Sequence, residues 1–136
     1  MPKFSTESFT KLSTVHPDLQ RLFFEVIQTF DCTILEGNRG EAAQEKAFAA
    51  GLSKLHWPNG KHNSMPSMAV DVSPYPIDWK NNQRFYWFAG YVMATAQKLK
   101  EEGKITHTVV WGGDWNHNFD ITDENGLRDL VHFELV

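Results

Sequence analysis

His62, in Lys61-His62-Asn63, and Asp71, in Ala69-Val70-Asp71, lie far upstream of His132, which interrupts the apolar run Leu130-Val131-His132-Phe133-Glu134-Leu135-Val136. Two imidazoles and one carboxylate make a three-ligand set that leaves one position of a tetrahedral zinc ion open, as catalytic rather than structural zinc requires. Asp129, three residues before His132, adds a carboxylate where a general base for an activated water would have to stand. Zinc-dependent hydrolysis is the chemistry that these types and spacings suit best. Each histidine alone is weak support, because a lone imidazole is usually a satisfied core or surface group. His16, His56, His107 and His117 are four more of them. The compact helical zinc signature, two histidines four apart with a glutamate between, is absent. Spacing alone therefore leaves both readings of the three residues open.

Residues so far apart need a fold to bring them together. Ser5 to Val15 reads as a short amphipathic helix. His16-Pro17-Asp18 starts a stronger one, with Pro in its first turn and Leu19, Leu22, Phe23, Val26, Ile27 and Phe30 at helical spacing. Cys32 to Leu35 reads as a strand, Gly37-Asn38-Arg39-Gly40 as a turn, and Glu41 to Ala50 as a helix stopped by Gly51. Leu52 to Pro66, rich in Pro, Gly, Asn and Ser, is a loop that carries His62, and Ser67 to Val72 is a strand ended by Pro74 and Pro76. Asn82 to Glu102 is the longest helix, with a buried stripe of Phe85, Phe88, Ala89, Val92, Met93, Ala96 and Leu99. Thr106 to Trp111 and Leu130 to Val136 are strands. In the second, alternation puts His132 on one face with Leu130 and Glu134, opposite Val131 and Phe133. Helices first and strands later predict an α+β fold with a small, mostly antiparallel sheet flanked by helices.

At 136 residues the chain is expected to form one domain, residues 1–136, with no separate wall-binding domain. It holds no long apolar run, so no membrane span is predicted. The N-terminus lacks the pattern of a signal peptide. Cys32, the single cysteine, cannot form an internal disulfide and reads as a small buried residue rather than a nucleophile. Thirteen Lys and Arg against 17 Asp and Glu give a net charge of −4, which argues against nucleic acid as a partner. A monomer is expected.

Three segments resemble the signature blocks of the M15 zinc peptidases, in family order. They are Lys61-His62-Asn63-Ser64-Met65-Pro66-Ser67-Met68-Ala69-Val70-Asp71, Trp111-Gly112-Gly113-Asp114-Trp115, and Asp129-Leu130-Val131-His132-Phe133-Glu134-Leu135. That family includes D,D-carboxypeptidases, D,D-dipeptidases of vancomycin resistance, and phage endolysins that cut the L-alanyl-D-glutamate bond of peptidoglycan. The resemblance implies the D,D-peptidase fold shared with Hedgehog domains and one zinc held by His62, Asp71 and His132. It also implies Asp129 as the catalytic carboxylate and Arg39 near the substrate carbonyl, while Gln44 falls where the family often has Gln. Arg39 as a mere partner of Glu36 or Glu41 is the plainer alternative. Two departures stand out. His62 and Asp71 are nine apart where many members have seven, and counting back seven gives Ser64, a poor ligand. Asp129 replaces the Glu of the carboxypeptidase branches, which points towards the phage branch.

The resemblance therefore implies an L-alanyl-D-glutamate endopeptidase acting on peptidoglycan stem peptides. It would be made in the host cytoplasm and reach the cell wall through a separate membrane-permeabilising protein. A D,D-carboxypeptidase and a non-catalytic zinc-stabilised wall-binding domain are the alternatives. Glu134 reads equally as support for His132 or as a solvent-facing strand residue. Trp57, Trp111 and Trp115 read as core more readily than as groove. Asp114-Trp115-Asn116-His117-Asn118-Phe119-Asp120 alternates oxygen donors like the first half of a calcium loop, but lacks the sixth-position glycine, and its twelfth position is Asn125, with Glu124 one early. A polar turn explains it more simply, with calcium carried as an added expectation.

Overall fold

Ser5 starts the first helix, its hydroxyl accepting the Ser8 N–H at 3.1 Å. The computed structural model describes residues 2–122 and 128–136. Helix α1 (Thr6–Leu12) is shorter than its sequence pattern predicts, because the chain leaves it to meet Ser67. Ser67 N donates to Thr14 O at 2.9 Å and His16 N to Ser67 O at 2.8 Å. Helix α2 (Pro17–Ile27) is capped by the His16 ring, whose Nδ1 accepts the Asp18 N–H at 3.0 Å, and buries Leu19, Leu22, Phe23, Val26 and Ile27.

Strands β1 (Cys32–Glu36), β2 (Ala69–Pro74), β3 (Val109–Gly112) and β4 (Asp129–Leu135) form one sheet in the order β1-β2-β4-β3, with every neighbouring pair antiparallel. Helix α3 (Glu41–Ala49) follows β1, and α4 (Asn82–Glu101) joins β2 to β3. The predicted α+β architecture is the observed one, with shifted edges. Strand β2 runs on to Pro74, which pairs with Cys32 at the end of the ladder, where a missing N–H costs little. Strand β3 begins at Val109 rather than Thr106, because the Thr106 and His107 amides donate to Asp18 Oδ2 at 3.0 and 3.1 Å.

One face of the sheet packs against α2 and α4. Phe133 is fully buried there, edge-on to Phe23 at 5.5 Å and Phe88 at 6.3 Å, with Val70, Val72 and Ile34 beside it. Each such side chain contributes about 1.5–3 kcal/mol of hydrophobic stabilisation. Cys32 lies in this core, and burial, helped by the Asp31 charge, pushes its thiol up to about 12. Because strand residues alternate, Val70 and Val72 facing inward turn Asp71 to the opposite face, and Phe133 does the same for His132. Asp71 and His132 are register partners across β2 and β4, so the core packing itself sets them side by side. No described helix is long and apolar enough to cross a membrane.

Candidate active site and metal centre

His62 reaches this face from a loop without regular structure, held by polar contacts. The His62 carbonyl accepts Arg39 N at 2.7 Å, Asn38 Nδ2 donates to Ser64 O at 2.7 Å, and Met68 N donates to Lys61 O at 2.9 Å. These contacts turn the His62 ring inward, where it is 4 % exposed. The exposed Ser64 instead gives its hydroxyl to Pro66 O at 2.9 Å. Of the two positions weighed from spacing, the fold brings His62 into the cluster and leaves Ser64 outside.

The three groups converge closely. His62 Nε2 lies 3.2 Å from Asp71 Oδ1 and 3.3 Å from His132 Nδ1, which is itself 3.2 Å from Asp71 Oδ1. Ligands of a tetrahedral zinc held at about 2.0 Å stand about 3.3 Å apart, so the triangle has the size of one face of that tetrahedron. The outer ring nitrogens fix the tautomers. His62 Nδ1 faces Gly37 O at 2.8 Å, an acceptor only, so Nδ1 carries the hydrogen and Nε2 turns a lone pair inward. His132 Nε2 faces Glu134 Oε1 at 2.9 Å, so in the neutral ring, the form that binds a metal, the Nδ1 lone pair also points at the centre. Three electron pairs aimed at one buried point call for a positive charge, and this donor set fits zinc.

The electrostatics likewise favour positive charge at this centre, whether a metal ion or a proton on His132 supplies it. Burial pushes the Asp71 carboxyl up, but hydrogen bonds with His132 and His62 outweigh it and hold the group well below the usual carboxylate range. Burial pushes His132 down, yet its hydrogen bonds with Asp71 and Glu134 prevail and raise it to about 9. Glu134, undecided from sequence, is thus the carboxylate that orients a candidate ligand.

Asp129 opens β4 opposite Gly112, where the β3–β4 register slips. A Cβ on Gly112 would collide with the Asp129 carbonyl, so only glycine lets the strands meet there. The next glycine, Gly113, lies against the Trp111 ring. The Trp-Gly-Gly segment thereby sets the position of Asp129, a role that sequence reading missed. Burial and the neighbouring Asp71 charge raise the Asp129 carboxyl, against the opposing pull of His132, His62 and Arg39.

Arg39 does pair with Glu36, as the plainer reading had it, but within the cleft rather than at the surface. Its Nε and Nη2 fork onto the two Glu36 oxygens at 3.1 Å each, and Nη2 stands 3.8 Å from Asp71 Oδ2. Nη1 donates to Gln44 Oε1 at 3.0 Å. Gln44, the one buried side chain of α3, also accepts Asn63 Nδ2 at 3.0 Å and donates to Ser53 Oγ at 3.0 Å and Leu55 O at 2.6 Å. One amide thus ties α3, Arg39, the His62 loop and the cleft rim together. The family resemblance marked Gln44 by position, but nothing in the local pattern of α3 signalled these contacts.

Two cavities flank the centre, of about 370 Å³ and about 550 Å³, and share Arg39, Leu52 and Asp129. Both candidate ligands His62 and His132 line the first, and Asp71 lines the second. Trp115 lines the first, Trp111 belongs to the core, and Trp57 lines neither. In the Asp114 loop, oxygens of Asp114, Asn116, Asn118 and Asp120 accept backbone N–H groups of the loop itself. That is turn chemistry; Glu124 and Asn125, weighed for calcium, lie outside the described residues. A second cluster, His16, Asp18 and His107, also gathers metal-type groups, but the His16 and His107 Nδ1 atoms are engaged with the Asp18 backbone and side chain.

The family model of phage L-alanyl-D-glutamate peptidase matches residues 1–136. Among solved structures, the L-Ala D-Glu endopeptidase ChiX of Serratia marcescens is similar at 25% identity and a TM-score of 0.68, over 98% of this chain and 90% of that one. No curated protein sequence matches.

Proposed function

The chain belongs to the phage L-alanyl-D-glutamate peptidase family, whose enzymes hydrolyse a peptidoglycan bond, and we propose that it does so with one zinc held by His62, Asp71 and His132. The convergence of three acceptor atoms within 3.2–3.3 Å, each imidazole braced from behind, carries this reading. Zinc bound there supplies Lewis acidity, polarising the scissile carbonyl and acidifying water.

The rest falls to the protein. Asp129 accepts a proton from the attacking water and delivers it to the D-glutamyl amine as the C–N bond breaks. Arg39, oriented by Glu36 and Gln44, presents fixed positive charge to the carbonyl oxygen as that oxygen gains charge. Glu134 keeps His132 in the tautomer that a ligand needs.

Two cavities that meet at Asp129 suit an endopeptidase, which must seat chain on either side of the bond, better than a carboxypeptidase. A carboxylate lining both cavities argues likewise against a binding domain without catalysis. We place synthesis in the host cytoplasm and action at the cell wall. Mass spectrometry of digested peptidoglycan tests the reading: new L-alanine C-termini with intact glycan strands are expected, and release of free D-alanine instead would refute it.

A further inference from the structure

We infer that Lys61 reads the free carboxylate of the glutamyl residue beside the scissile bond, and so sets specificity. The inference rests on the L-alanyl-D-glutamate reading of the cleft. A glutamyl residue has two carboxyl groups and continues a linear stem through only one, so the other stays anionic unless it is amidated. Selecting for that anion takes a cation fixed within hydrogen-bond reach.

The two cavities offer different charge. Among the described residues, Arg39, Lys54 and Lys61 face Asp129 and Glu134 in the first, whereas Arg39, Lys46 and Arg128 meet Glu36, Asp71 and Asp129 in the second. The excess of positive charge lies in the first. Within it, Arg39 is largely committed to Glu36 and Gln44.

Lys61 is placed for the task. Its Nζ donates to Leu135 O at 2.8 Å, and its own carbonyl accepts Met68 N at 2.9 Å. Lys61 immediately precedes His62, and its anchor immediately follows Glu134, so the ammonium sits on the wall that carries both imidazoles. An ammonium has three donors, and this anchor uses one. Holding a flexible lysine in place beforehand reduces the entropy lost when a ligand binds.

A lysine that merely stapled the end of β4 would show the same anchor, so the test must separate the two. The zinc-loaded protein is assayed on two synthetic stem peptides that differ only in whether the glutamyl α-carboxylate is free or amidated. The wild type should favour the free acid in kcat/KM by about ten- to hundredfold, the range of a charge-assisted hydrogen bond. Lys61→Met should bring that ratio near one, and Lys61→Arg should restore much of it. Lys46→Met and Arg128→Met should keep it. Equal losses on both peptides in Lys61→Met, with the ratio intact, would reduce Lys61 to a staple and overturn the inference. So would loss of the preference in Lys46→Met or Arg128→Met instead, or a wild type without preference. Cleavage of neither peptide by the wild type would instead overturn the endopeptidase reading beneath it.

Discussion

Gly112 and Asp129 face each other across β3 and β4 so closely that even a methyl group on Gly112 would strike the Asp129 carbonyl. The glycine is thus a positioning element for the candidate base. Gly112→Ala should push Asp129 out of place, at about 1–3 kcal/mol for the forced overpacking. Activity should fall on the order of a hundredfold, the usual consequence of a misplaced catalytic group. Zinc content should stay at the wild-type level, because no candidate ligand moves. Thermal melting, metal analysis and kcat together check this, and full activity in the variant would contradict it.

His62 and Ser64 are the two positions that spacing offered for the first ligand, and only His62 points inward. His62→Ala should lose zinc and all lysis, while Ser64→Ala should keep both. Plasma mass spectrometry of the purified variants decides between them, and a Ser64→Ala protein stripped of metal would reverse the assignment.

Asp129 can be separated from a purely structural role by Asp129→Asn, which keeps shape and hydrogen-bonding capacity but cannot take the proton. Hydrolysis should drop by about a hundred- to ten-thousand-fold with zinc retained. Near-normal turnover would remove Asp129 from the mechanism.

Asp18 ties the start of α2 to the approach to β3, accepting from Thr106 N, His107 N and His107 Nδ1, the last at 2.8 Å. Burial pushes its carboxyl up, but hydrogen bonds from the His107 side chain and the Thr106 and His107 amides, with the His16 charge, hold it below its ordinary value. A depressed carboxylate stabilises the fold above its unfolded pKa and loses that contribution as pH falls through the folded one. Asp18→Asn should therefore cost about 1.5–3 kcal/mol at neutral pH. The gap to wild type should close in acid, below the ordinary carboxylate range. A gap that widens in acid, read by denaturant unfolding across pH, would refute this.

What the sequence made legible follows from local periodicity. The stripe of α4 buries Phe85, Phe88, Ala89, Val92, Ala96 and Leu99 as its spacing predicts, with Met93 only half-buried. Alternation in β4 correctly set His132 with Glu134 and against Phe133. What stayed hidden depends on partners distant in sequence. Strand β3 starts late because Asp18, 88 residues before Thr106, takes the Thr106 and His107 amides. Helix α3 shows no apolar stripe, since a single polar side chain, Gln44, anchors it. Gly112 and Gly113 lie just past the strand predicted to end at Trp111, and their part in placing Asp129 shows only when the backbone of Asp129 and the ring of Trp111 are seen against them.

The central claim is that hydrolysis of the L-alanyl–D-glutamate bond depends on one zinc held by His62, Asp71 and His132. Titration of zinc into metal-free protein, with release of new D-glutamyl amino termini from peptidoglycan as the readout, tests it directly. Activity should be absent at the start, rise linearly and level off at about one zinc per chain, while His132→Ala stays inactive throughout. Full activity in the metal-free protein, or in zinc-loaded His132→Ala, would contradict the account.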